Sequence, residues 1–287
     1  QSYLDRAVAF FEQVASEAWD AKCGGGLYWA GDKAGGGNRY KNAISNELFL
    51  VTAMRLHNHA PNATSAAKYL SWAKREWTWF KDSGMVIDKG SYVAGGLTNN
   101  CSCDHDEGFT YNQGVVLGGL GLLFAATPEA ETAERAALID AADGIAMGVV
   151  RAGSRWQSAE GILIEPCEAK HGGCNADGTQ FKGIFVRYLR YFLDSVCSSD
   201  GCATPHEKTY REFLAANAQS VWDKARSEDG RLGVHWAGPP PAEGAANGAV
   251  AQTSGTDALL AAQNLGAGGF GDPPSSWKSD DDVVGQT

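Results

Sequence analysis

Thr110-Tyr111-Asn112-Gln113-Gly114-Val115-Val116-Leu117-Gly118-Gly119-Leu120 decides the fold. A polar opening leads into a run of small and apolar residues with no charged face. Helices that are apolar all round are buried, whereas helices with one apolar stripe lie at a surface. The segment therefore reads as a buried inner helix, continuing to about Ala126. Working outward, seven more helices follow from the periodicity and from Pro, Gly and capping signals. The first passes through Leu4, Phe11, Val14 and Ala18. The second covers about Asn42 to His57, the third about Thr64 to Gly84 and the fifth about Glu129 to Val150. The sixth covers about Gln180 to Val196, the seventh runs from after Pro205 to about Arg226, and the eighth from about Gln252 to Gln263. Odd helices are amphipathic, with charges such as Glu12, Lys74 and Glu134, and even ones are smaller or more apolar. The even helices open at Asn42, Tyr111, Gln180 and Gln252, spaced by 69, 69 and 72 residues. Such a period signals a repeat architecture. An outer layer around an inner layer predicts an all-α toroid of helical hairpins. The alternative is an open solenoid, disfavoured because these connecting loops are long and Gly-rich.

Bulk properties narrow the function. The 287 residues carry 24 Lys plus Arg against 34 Asp plus Glu, a formal net charge of -10. That balance excludes the basic footprint of a nucleic-acid binder and disfavours anionic membranes and polyanionic sugars. No apolar run reaches the roughly 20 residues of a membrane span. No phosphate-cradling glycine fingerprint follows a strand, and no nucleophile elbow is present. Seven cysteines occur, and the short Gly-containing loops predict Cys167–Cys174 and Cys197–Cys202 disulfides. With the sequons at Asn62 and Asn100, they imply an oxidising, extracellular compartment. An odd cysteine count leaves at least one without a partner in the chain.

The inner-helix openings concentrate polar and aromatic groups: Asn42 and Glu47, Tyr111 and Asn112, Gln180 and Lys182. Amides, carboxylates and rings suit a neutral glycan, with its hydroxyls and apolar CH faces. Helix capping explains one polar residue per opening, but not several. Cys101-Ser102-Cys103-Asp104-His105-Asp106-Glu107 gathers thiols, carboxylates and an imidazole. Metal binding is one reading of it, and Asp104, Asp106 or Glu107 as general acid is another. A solvated loop pinned by disulfides, with Cys23 or a residue outside this chain as one partner, fits an oxidising compartment better. No metal and no cofactor is expected. Residues 265–287 read as a disordered Gly/Pro/Ser/Asp-rich tail that includes Asp280-Asp281-Asp282.

Several blocks together resemble glycoside hydrolase family 76. They are Trp19-Asp20 through Cys23-Gly24-Gly25-Gly26-Leu27-Tyr28-Trp29, Tyr40-Lys41-Asn42-Ala43-Ile44-Ser45-Asn46-Glu47-Leu48-Phe49, Tyr69-Leu70-Ser71-Trp72, Thr110-Tyr111-Asn112-Gln113-Gly114 and Gln180-Phe181-Lys182-Gly183-Ile184-Phe185. Their order holds to about Asn264, and the cysteines and sequons resemble the fungal branch. The resemblance implies an (α/α)6 toroid of twelve helices, of which about eight are here, filling residues 1–264. It implies retaining endo-cleavage of α-1,6-mannan, or transfer to another glycan in the cell wall. By match, Asn42, Glu47, Tyr111, Asn112, Gln180 and Lys182 become substrate-binding positions. The family's catalytic adjacent aspartates, on an inner helix that precedes the first helix here, have no counterpart in this sequence. The domain is therefore expected to be incomplete at its N-terminus, with apolar faces exposed around Leu48 and Val51. Residues 1–287 alone are expected to release no reducing ends from linear α-1,6-mannan, and robust turnover would refute that. The competing readings are a non-catalytic glycan-binding remnant and another toroid enzyme, such as a sugar epimerase or polysaccharide lyase.

Overall fold

A computed structural model describes residues 2–29, 40–104, 108–244 and 248–265. Eight α-helices appear among them: α1 (Tyr3–Gln13), α2 (Ala43–Asn58), α3 (Ala63–Asp82), α4 (Thr110–Ala126), α5 (Thr132–Val150), α6 (Ala176–Val196), α7 (Glu207–Lys224) and α8 (Gly248–Ala261). Ser2 and Asp5 form a reciprocal capping box at α1, which a π turn, Val14–Ala18, continues. Asn42, Asn62 and Asn175 cap α2, α3 and α6 by accepting from the backbone N–H three residues on. The Asn175 cap starts α6 four residues before the expected Gln180, and α8 also begins four residues before Gln252. The expected tail lies outside the described residues apart from Leu265.

The inner helices α2, α4, α6 and α8 pack side by side in chain order, while α3, α5 and α7 back onto α2, α4 and α8. This is the hairpin arrangement of an (α/α) toroid. As its composition requires, α4 is buried along most of its length, at Thr110, from Asn112 to Gly121 and at Leu123 and Phe124. Among the described residues no helix is long and apolar enough to cross a membrane. Leu48 is 44% exposed, but Val51 is only 4% exposed, in a pocket that it lines with Gly118 of α4 and Tyr188 of α6, so that half of the exposure expected there is corrected.

One device recurs at the repeat period. An isolated antiparallel bridge closes the chain between outer and inner helix at Trp19–Leu27, Gln157–Leu163 and Arg226–Leu232. Inner-helix amides then clamp the strand before them. Asn46 bonds both backbone groups of Leu27, Gln113 both groups of Val93, and Gln252 the Leu232 N–H. Two buried polar contacts are thereby exchanged without loss, which is the condition for burying an amide at low cost.

Short two-stranded pairs finish the loops: β1 (Lys41–Asn42) with β4 (Gly96–Leu97), β2 (Val86–Ile87) with β3 (Tyr92–Val93), and β5 (Cys197–Ser198) with β6 (Gly201–Cys202), all antiparallel. Disulfides join Cys167–Cys174 and Cys197–Cys202, as expected, and Cys23–Cys101 ties the loop before α2 to the loop before α4. Cys103 is outside these three bonds. Next to Cys23, the fully buried Lys41 ammonium is ringed by the carbonyls of Asp20, Lys22, Gly25 and Gly26 and lies 3.5 Å from the Asp20 carboxylate. Lys41 is thus a structural cation that organises its loop.

Candidate functional site

The N-terminal ends of α2, α4 and α6 converge on a cleft of about 740 Å³. Helix periodicity decides which side chains enter it. On α6, Asp177, Gln180, Phe181, Ile184, Arg187 and Tyr188 fall on one stripe and line it. Tyr111 and Val115 enter from α4, while Asn42, Ile44 and Leu48 enter from α2 and its cap. Trp29, 66% exposed, and Tyr40 stand at the rim loops.

Three rings form one platform. Phe109 lies 5.9 Å from Tyr111 and 5.1 Å from Phe181, and Tyr111 lies 4.1 Å from Phe181, centroid to centroid. Arg187 also reaches Asp257 of α8 at 2.8 Å. Burial pushes the Asp257 carboxyl up, against the pull of that guanidinium. Burial likewise raises the Tyr188 hydroxyl, so it remains a protonated donor. The site therefore offers apolar ring surface, two amides, one carboxylate and one cation.

Of the residues singled out in the sequence, Asn42, Tyr111 and Gln180 line this cleft. Glu47, Asn112 and Lys182 do not: each is at most 1% exposed and turned into the helix layer. Burial raises Glu47 well above the ordinary carboxylate range, and the nearby Glu76 carboxyl adds to this. Asn112 is one residue, about 100° of helix, past Tyr111. Lys182 pairs with Glu168 and donates to the Val234 carbonyl at 2.7 Å. Asp104 accepts a hydrogen bond from the Tyr40 hydroxyl, so it stands behind a rim residue. Asp106 and Glu107 lie outside the described residues. Sequence reasoning missed Asp177, Phe181, Arg187 and Tyr188. The signal was there: Asn175 is a capping residue, and a helix begun at Ala176 puts Asp177 one turn before Gln180.

The chain matches the family described as Glycosyl hydrolase family 76 over residues 1–268. A putative mannan endo-1,6-alpha-mannosidase of Schizosaccharomyces pombe is 31% identical over 195 residues, 67% of this chain and 41% of that protein. The chain thus spans about two fifths of that curated relative. Among solved structures, the α-1,6-mannanase of Salegentibacter sp. HEL1_6 superposes with a TM-score of 0.73 at 26% identity, covering 92% of this chain and 69% of its own. An inactive variant of that mannanase, with two adjacent aspartates changed to asparagine, was solved with α-1,6-mannotriose. It matches with a TM-score of 0.71 at 26% identity, over 90% of this chain and 68% of its own. With the hairpin repeat and the cleft at its inner-helix ends, a match over nearly the whole sequence leaves one assignment: the chain belongs to glycosyl hydrolase family 76.

Proposed function

We propose that the cleft binds α-1,6-linked mannan and that the protein acts on it as a glycoside hydrolase, outside the cell or in the cell wall. The observation that carries this reading is the Phe109–Tyr111–Phe181 platform set among Asn42, Gln180 and Asp177. Rings take the apolar face of a hexose, while amides and a carboxylate take its hydroxyls. Family membership and the mannan specificity in its relatives' names support the same substrate. Three disulfides fit an oxidising compartment. In this reading Asn42, Tyr111, Gln180 and Asp177 contact the glycan, whereas Glu47, Asn112 and Lys182 hold the wall from behind.

Retaining cleavage requires a nucleophilic carboxylate and an acid/base carboxyl about 5 Å apart across the scissile bond. Asp177 is the one carboxylate among the described lining residues, so it serves binding and cannot supply both roles. Calorimetric titration of residues 1–287 with α-1,6-mannotriose tests the reading. Tyr111→Ala is expected to weaken binding about tenfold through lost ring contact, and Asp177→Ala by a similar factor. An absence of wild-type binding, or an affinity equal to wild type in both variants, would overturn it.

A further inference from the structure

Behind the ring platform lies a buried cluster that the cleft does not use. Glu165, in the loop before α6, is 1% exposed. Its Oε1 accepts from the Thr110 N–H at 3.0 Å and from the Thr110 hydroxyl, so it closes the first turn of α4. Its Oε2 is buried with no hydrogen-bond partner. Lys182 of α6, also 1% exposed, lies within electrostatic reach of Glu165 and pairs with Glu168, which in turn meets His235 at 3.1 Å. Thr110 sits between the cleft rings Phe109 and Tyr111, and Lys182 follows the cleft ring Phe181. The residues that face the cluster therefore alternate with the residues that face the cleft, on both helices that carry the platform.

We infer that Glu165 is a positioning residue for the glycan site, because its bonds to Thr110, beside Lys182, fix α4 against α6 and so fix the Phe109–Tyr111–Phe181 platform. The ligand part of this inference rests on the mannan reading above, but the platform part does not. Burial pushes the Glu165 carboxyl up to about 8, against the two bonds from Thr110. Below that pH the group is a neutral acid whose carbonyl oxygen accepts both bonds, and a glutamine reproduces this arrangement.

The test compares Glu165→Leu, Glu165→Gln and the milder Thr110→Val in residues 1–287. Each is read by amide hydrogen exchange at Thr110 and Tyr111, ring-to-ring nuclear Overhauser contacts between Tyr111 and Phe181, and affinity for α-1,6-mannotriose. Glu165→Leu is expected to speed exchange at least about tenfold, loosen the ring contacts and weaken binding about tenfold, with an intermediate effect in Thr110→Val. Glu165→Gln is expected to recover most of all three readouts, which a purely electrostatic role would not allow. Should Glu165→Leu fail to fold, Thr110→Val and Glu165→Gln decide between the outcomes. Unchanged ring contacts and exchange in Glu165→Leu and Thr110→Val would overturn the inference. If wild type ignores mannotriose while the ring contacts respond as stated, the mannan reading fails and the positioning role stands.

Discussion

The thermal stability of residues 1–287 is expected to fall as pH rises from 5 to 8, and Glu47→Gln or Glu76→Gln is expected to flatten that fall. Glu47 on α2 and Glu76 on α3 are both buried, at 1% and 0% exposure, and none of their four carboxyl oxygens has a hydrogen-bond partner. Burial raises both well above the ordinary carboxylate range. Their mutual repulsion adds at Glu47, while Lys41 and Arg75 oppose it at Glu76. A carboxyl raised in the folded state binds its proton more tightly there than in the unfolded chain. The stability this supplies is complete below the unfolded value, near pH 4.5, and is lost as pH climbs toward the folded value. Glu165, raised to about 8, adds in the same direction. Each proton held only by the folded state contributes a slope of about 1.4 kcal/mol per pH unit. Glutamine has the shape of the protonated acid and cannot ionise, so either variant should gain most over wild type at pH 8 and least at pH 5. Differential scanning calorimetry across that range checks this. A wild-type melting temperature that holds steady or rises, with both variants running parallel to it, would show that the two carboxyls are ionised in the folded state.

The helices were legible because their signals are periodic and local. Apolar spacing fixed α2 to α8 within a few residues, and the spacing of Asn42, Tyr111, Gln180 and Gln252 exposed the repeat. Short Cys-to-Cys loops likewise gave two disulfides, whereas Cys23–Cys101, 78 residues apart, depends on two loops meeting in space. The cleft was half legible, and the reason is angular. Polar residues at the opening of a buried helix can point to a ligand or to a buried network, and residue type does not distinguish these. Tyr111 and Asn112 are neighbours in sequence yet face opposite demands: one lines the cleft, and the other buries its amide with no hydrogen-bond partner. Gln180 and Lys182 divide in the same way. Glu165 was beyond reach because its partner Thr110 lies 55 residues away, and only the packed layer brings them together.

Gly114→Ala is expected to destabilise the protein by about 1–3 kcal/mol and lower its melting temperature by about 2–5 °C, with Gly114→Val worse. On a solvent-facing helix the same change would stabilise by up to about 1 kcal/mol, because alanine is the better helix former. Which effect wins depends on what a Cβ would meet. At Gly114 it would lie 2.6 Å from the Phe185 Cα and 3.3 Å from the Phe185 N and O, all backbone of α6. Side-chain rotation cannot relieve that contact, so α4 and α6 must move apart. Gly183, one repeat later, has the same relation to Ser254 of α8, at 2.7 Å from its Cα. The inner layer is therefore held at a spacing that only glycine allows, and its residues interlock rather than slide. The consequence reaches the cleft, because α4 carries Tyr111 and α6 carries Phe181, whose ring centroids are 4.1 Å apart. Gly114→Ala should consequently weaken α-1,6-mannotriose binding as well as stability. Gly248, where a Cβ would meet nothing within 4 Å, supplies the control: Gly248→Ala should melt within a degree or two of wild type. Calorimetric melts of the three proteins and one titration each decide the matter. Gly114→Ala melting with wild type and binding equally well would show that α4 and α6 can separate without cost.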